Sequence, residues 1–369
     1  MRITGRIVTP AGVVAGHIDV DGEQVAAVEP DPTVHDGRWV VPGFVDIHNH
    51  GGGGHTFTTG DVTSAHGAAA FHLDRGTTTL LASLVSSPVE LMRDATAAYA
   101  PLVHEGVLAG IHYEGPYLST ARCGAQNPEF LRDPSPDELA SLLDLAAGTV
   151  RMVTIAPERP GALDAVKLLV AHGVVAAVGH TDATYEQTLA AVAAGATVGT
   201  HVFNGMRPPH HREPGPVFAL LGAPGVICEL IADGVHLHDG TLGFAATVAG
   251  PDRVALITDA MAAAGMADGA YELGGQAVDV TDGVARLTRD GSIAGSTLTM
   301  DAALRRAVHI GVSIVDACRM ASTTPARAIG LGDRVGALAP GLRADLVELD
   351  DALHVVRVMR GGAWQDGPA

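Results

Sequence analysis

The feature that most constrains this chain is an alternation repeated eight times between Gly43 and Asp259. Short runs rich in Val, Ile, Leu, Ala and Thr read as strands: Gly43–His48, Thr77–Val85, Gly110–Glu114, Arg151–Ala156, Val174–His180, Thr197–Phe203, Val226–Ala232 and Val254–Asp259. Ala/Leu-rich amphipathic stretches such as Pro136–Ala147, Leu163–Ala171 and Tyr185–Ala194 fill the gaps and read as helices. Strand alternating with helix is the pattern of βα units around a parallel sheet. Eight units favour a closed (β/α)₈ TIM-like barrel over an open doubly wound sheet. A chain of 369 residues is long enough for such a barrel and a small appended domain.

The two ends read differently. Arg2–Val8, Val13–Val20 and Gln24–Glu29 are short strands with turns, and Asp345–Leu349 and Val355–Met359 repeat the pattern near the C-terminus. Neither set is large enough to be stable alone, so both termini are expected to combine into one small β-sandwich domain. The expected division is residues 1–41 plus 335–369 for that domain and 42–334 for the barrel. A Gly/Asp-punctuated β-hairpin insertion is expected near 269–294, after the eighth strand.

The formal net charge is 23 − 41 = −18, which argues against nucleic acid or an anionic membrane as partner. A small anionic substrate stays open, because a few focused arginines override the mean charge locally. No apolar run is long enough to span a bilayer, and Met1–Arg6 lacks the character of a signal peptide. Cys123, Cys228 and Cys318 are too few for a disulfide framework, so a cytoplasmic setting is expected.

Placed on this map, the ionisable residues fall at strand ends. His48 and His50 close strand one, Glu114 strand three, His180 strand five, His201 strand six and Asp259 strand eight. In a parallel barrel all these ends open onto one face, where active sites are built. Residues two apart on a strand share a side, so His48 and His50 can approach one ion together. Imidazole and carboxylate suit Zn²⁺ and neighbouring divalent ions. By contrast, His17, His35, His104, His172 and His354 are assigned structural or surface roles.

The segment Val41-Pro42-Gly43-Phe44-Val45-Asp46-Ile47-His48-Asn49-His50 resembles the opening metal motif of the amidohydrolase superfamily. Further segments resemble its N-acetylglucosamine-6-phosphate deacetylase family: Gly110–Tyr117, Val178–Ala183, Thr200–Met206, His210–Gly215, Ala232–His236 and Ile257–Met261. The resemblance covers nearly the whole chain, in order.

The resemblance implies hydrolysis of N-acetyl-D-glucosamine 6-phosphate to D-glucosamine 6-phosphate and acetate, in amino-sugar catabolism and cell-wall recycling. It places the principal ion on Glu114, His180 and His201, with His48 and His50 on a second ion bridged by Glu114. Relatives that lack the histidine pair work with one ion; this chain keeps both imidazoles, so two divalent ions are expected, Zn²⁺ first, with Fe²⁺, Mn²⁺, Co²⁺ or Cd²⁺ as alternatives. A metal-bound water would supply the nucleophile. Asp259, counted with the metal ligands, would also act as general base and then general acid.

Asn204, Gly205, Arg212 and His236 would hold the sugar phosphate, with Arg212 reaching the site from the neighbouring subunit of a homodimer. Gln126 stands where many relatives carry a histidine and is retained, with Thr297, as a candidate substrate contact. Cys123, on the same loop as Gln126, is a candidate modulator open to oxidation or metal capture. His112 and Asp182 are expected to line the pocket or support the ligands. Lys167 is the only lysine and lies in an expected amphipathic helix, so no lysine can bridge two metals as a carbamate.

Two rivals stand beside this reading. A deacylase for another N-acyl amino-sugar phosphate or an N-acyl-D-amino acid would share the metal site, and the amino-acid deacylase would need no phosphate contacts. A non-catalytic amidohydrolase-like scaffold would be expected to lose the ligands that this chain retains.

Overall fold

The computed structural model describes residues 1–34 and 37–365; His35, among the histidines assigned to surface roles, lies outside them. Eight parallel strands form the central sheet in sequence order: Phe44–Asp46, Thr77–Val85, Gly110–Glu114, Val150–Ile155, Val175–Val178, Val198–Gly199, Ile227–Ile231 and Val254–Ile257. All eight expected strands are present. Their residues are buried almost without exception, because helices cover the outside and side chains fill the inside, which is why the runs read as continuously apolar. The sheet closes where strand one meets strand eight: the Asp259 N–H donates to His48 O at 2.9 Å and the His50 N–H to Ala260 O at 2.8 Å.

The helices carry their own stop and start signals. Ser135 caps Pro136–Ala146 with its side chain, with proline in the first turn. Thr184 and Gln187 form a reciprocal capping box on Tyr185–Ala194, and Gly195 ends that helix in a left-handed conformation. Among the described residues, no helix is long and apolar enough to cross a membrane.

The termini build one seven-stranded sheet, in which Trp39–Pro42 joins the N-terminal strands to Leu346–Leu349. It bends back on itself: Val25 N–H donates to Leu342 O and Ala344 N–H to Glu23 O. Ile3, Ile7, Ile18, Val40, Leu346 and Met359 fill the enclosed space.

The insertion after strand eight is a three-stranded antiparallel meander, Gly269–Leu273, Gln276–Thr281 and Val284–Leu287, where the sequence suggests a hairpin. Two tight turns account for the extra strand. Gly274–Gly275 and Asp282–Gly283 each place two successive residues at positive φ, as a two-residue hairpin loop requires. The meander packs Leu273, Val278, Val280 and Leu287 onto Val85 and Met261 at the barrel mouth. Gln276 donates to Ala125 O, and Arg289 donates to Gly124 O at 3.2 Å, so the meander also secures the loop that follows strand three.

Candidate active site

Five strand ends bring His48, His50, Glu114, His180, His201 and Asp259 to one point at the C-terminal mouth of the barrel. The Glu114 carboxylate is the hub. Its Oε1 lies 2.9 Å from both His180 Nε2 and His201 Nε2, which stand 3.2 Å apart. On the other side, His50 Nε2 lies 3.2 Å from Glu114 Oε2 and 3.2 Å from His48 Nε2. Asp259 Oδ1 stands 3.2 Å from His50 Nε2 and 3.6 Å from His48 Nε2. All six are buried.

These separations fit metal coordination. Ligands about 2.0–2.1 Å from a tetrahedral ion stand roughly 3.3 Å from one another. Among the described residues two such groups exist, His48/His50/Glu114 and Glu114/His180/His201, and they share one carboxylate. The imidazole orientations agree. Nδ1 of His50 faces Ser83 O at 3.0 Å and Nδ1 of His180 faces Arg122 O at 2.9 Å. A carbonyl oxygen only accepts, so both Nδ1 atoms carry a hydrogen and both Nε2 atoms point inward at the carboxylates, where each can meet either its own proton or a metal ion.

The electrostatics favour positive charge at this point. Burial works to lower the His50 pKa, but Asp259 and Glu114 outweigh it and take His50 up to about 9. Burial works to raise the Asp259 pKa, but His48 and His50 take it down to about 2, so the carboxylate is ionised at neutral pH. His112 departs the other way, well below its ordinary value, through burial and the neighbouring His48. It is a neutral ring wedged against His48 and bonded to Ser83 Oγ and Thr154 Oγ1 at 2.9 and 2.8 Å.

The backbone here is forced. His180, His201 and Asp259 sit at φ 44°, 26° and 50°, left-handed conformations that cost non-glycine residues on the order of 1–3 kcal/mol each. Below them, Asp46 ties strand one to strand eight: Oδ2 accepts from Asn49 Nδ2 at 2.9 Å and Thr258 Oγ1 at 2.6 Å.

A cavity of about 280 Å³ opens above the cluster, lined in part by Asn204, Gly205, His236, Leu273 and Ile293. Gly205 is at φ 58°, and a Cβ there would come within 2.7 Å of His180 Nδ1, so only glycine lets this loop pass. His236 Nδ1 is 2.6 Å from Asp233 Oδ2; burial opposes protonation of the ring, but Asp233 outweighs it and raises the pKa.

The remaining sequence candidates fall elsewhere. Gln126 lines the cavity, but its amide is already engaged: Oε1 accepts the Ser86 N–H at 2.7 Å and Nε2 donates to Glu114 Oε2 at 2.6 Å. Its side chain thus spans Ser86 and the shared carboxylate while still lining the cavity. Thr297 is not brought to the cavity; its hydroxyl donates to Gly283 O at 2.7 Å, holding the meander turn. Arg212 is exposed on the loop after strand six, with Nη1 2.7 Å from His211 Nε2 and away from the cavity of its own chain. Asp182 is paired with Arg122 and Arg207 at 2.8 and 2.9 Å. Cys123 is a half-buried free thiol on the loop that carries Gln126. Lys167 is exposed and pairs with Asp164 at 3.0 Å, far from any bridging role.

One residue escapes the sequence reading. Glu229 stands in the middle of strand seven with no exposure, and its Oε2 lies 3.0 Å from His48 Nδ1. A lone charge inside the apolar run Val226–Ala232 was the available signal.

Residues 39–364 match the family model described as "Amidohydrolase family". An N-acetylgalactosamine-6-phosphate deacetylase of Escherichia coli O157:H7 is 39% identical over 363 residues, 96% of each chain. An N-acetylglucosamine-6-phosphate deacetylase of Vibrio furnissii is 38% identical over 350 residues, 93% of this chain and 86% of the relative. Among solved structures, a mutant N-acetyl-D-glucosamine-6-phosphate deacetylase of Mycobacterium smegmatis, in complex with N-acetyl-D-glucosamine-6-phosphate, superposes with a TM-score of 0.96. The two chains are 47% identical, over 99% of this chain and 98% of the other.

Proposed function

The chain belongs to the amidohydrolase family, and we propose that it hydrolyses the N-acetyl amide of N-acetyl-D-glucosamine 6-phosphate to D-glucosamine 6-phosphate and acetate. The observation that carries this reading is the Glu114-centred cluster with the ionised Asp259 beside it, at the floor of a cavity that also presents Asn204, Gly205 and His236. His48, His50, Glu114, His180 and His201 would hold the divalent metal, which when bound would supply an acidified water and Lewis-acid polarisation of the amide carbonyl. Asp259 accepts the proton from the attacking water and returns it to the sugar nitrogen as the C–N bond breaks. Asn204, the Gly205 backbone and His236 hold the sugar phosphate in place.

Two ions fit the charge in the cluster. Three carboxylates, Glu114, Glu229 and Asp259, are buried against the ligand histidines, and no arginine or lysine pairs with any of them among the described residues. Divalent cations held there would supply the offsetting positive charge. Imidazole and carboxylate donors favour Zn²⁺ and accept Fe²⁺, Mn²⁺, Co²⁺ or Cd²⁺.

The active form in this reading is a homodimer in which Arg212 of one subunit reaches the phosphate held by the other. Exposed Phe218, Phe244 and Val248 on the neighbouring helices Gly215–Gly222 and Asp239–Ala249 support it, since these are side chains a partner would cover. A cytoplasmic setting is supported by three free cysteines.

A second reading, the galacto epimer as substrate, is favoured by the Escherichia coli relative. Acetate release measured side by side on N-acetylglucosamine 6-phosphate, N-acetylgalactosamine 6-phosphate and unphosphorylated N-acetylglucosamine tests both. The first should show the highest kcat/KM. Equal values with and without phosphate would sink the phosphate contacts, and preference for the galacto epimer would move the chain to the second reading.

A further inference from the structure

Glu229 has no role in the chemistry above, yet it joins both halves of the metal cluster. Its Oε2 accepts the backbone N–H of His201 at 3.1 Å as well as facing His48 Nδ1 at 3.0 Å. Its Oε1 is buried with no partner among the described residues. The four ligand imidazoles are supported unequally. His50 and His180 lean on backbone carbonyls through Nδ1, and His201 Nδ1 has no partner among the described residues. Only His48 is backed by a charge.

We propose that Glu229 is a positioning residue that makes the His48–His50 pair competent to hold the second ion. The carboxylate fixes hydrogen on Nδ1 of His48, leaves Nε2 as the ligand atom facing His50 and Glu114, and makes that nitrogen more basic. Its grip on the other half-site runs only through a backbone N–H, so removing the charge acts first on the His48–His50 side. This inference rests on the two-ion reading and deepens it.

The test is Zn²⁺ titration of the metal-free protein against a competing chelator, comparing wild type with Glu229→Gln. Glutamine keeps an oxygen to accept both N–H groups and removes the charge, its NH2 taking the place of the unpartnered Oε1. Wild type should take up two equivalents. The variant should bind the first with an unchanged constant and the second about 10–100-fold more weakly, the usual effect of losing a partner behind a ligand histidine. Glu229→Asp, which retains the charge but retracts it, should weaken the second ion less than Gln does; if the Gln variant does not fold, the Asp variant should still show selective weakening of the second ion. Unchanged constants for both ions, or equal weakening of both, overturns the inference alone. A wild-type chain that takes up a single equivalent overturns the two-ion reading and this inference with it.

Discussion

Replacing Asp259 with asparagine separates proton transfer from metal binding. The side chain keeps its size, and the main-chain bonds that close the barrel are untouched: Asp259 N–H to His48 O at 2.9 Å and Ser296 N–H to Asp259 O at 2.7 Å. Asp259 Oδ1 approaches the rings of His50 and His48, while the Glu114/His180/His201 group is complete without it. The variant should therefore fold and retain the ion in that group. What it loses is a base positioned at the reacting atoms, a contribution of about 10²–10⁴-fold. At about 1.36 kcal/mol per tenfold, the barrier rises by roughly 3–5 kcal/mol.

The loss should fall on kcat with KM little changed, because the missing interaction is made in the transition state and not with the bound sugar. Acetate release gives the kinetics, elemental analysis the metal content, and thermal unfolding the integrity of the fold. A kcat within tenfold of wild type, in protein with full metal content, would refute the base assignment. Loss of metal from the Glu114/His180/His201 group would refute the separation of roles on which the magnitude depends.

Two other substitutions probe separate parts of the molecule. Arg212→Ala should raise KM for the phosphorylated substrate about 10–100-fold, as expected for charge-assisted bonds of roughly 1.5–3 kcal/mol, and change kcat less. Mixed dimers of Arg212→Ala and Asp259→Asn subunits should regain part of the activity, and no recovery in verified heterodimers would place the arginine in its own chain's site. Phe44→Ala empties a fully buried position in strand one and should cost about 3–5 kcal/mol in urea unfolding, whereas a loss under about 1 kcal/mol would mean that the barrel closes over the gap.

The barrel strands were legible because a parallel strand covered on both faces is buried throughout and so is rich in apolar and small residues, as Thr77–Val85 is over its whole length. The strands of the terminal sheet were legible for the opposite reason: Gly12–Asp21 alternates buried and partly exposed positions, as a strand with one wet face does. The extra strand of the meander was not, because Asp282–Gly283 and Gly274–Gly275 are equally good turn signals and the sequence does not say that both are used.

For the site, strand ends were enough. Topology alone carries His48, His50, Glu114, His180, His201 and Asp259 to one mouth, so their convergence needs no knowledge of side-chain orientation. Gln126, Thr297 and Glu229 depend on orientation. Gln126 and Thr297 are near the right place in sequence, yet one amide is occupied between Ser86 and Glu114 and one hydroxyl turns to Gly283. Glu229 lies one residue from Cys228 and Leu230, in a strand whose apolar character hides it, and its partner His48 is 181 residues away. A buried carboxylate with no basic neighbour is costly unless something positive stands close by. The presence of Glu229 in strand seven is therefore itself a statement about the charge of its surroundings. In this barrel the ring it touches is His48, one of the two imidazoles of the proposed second metal site.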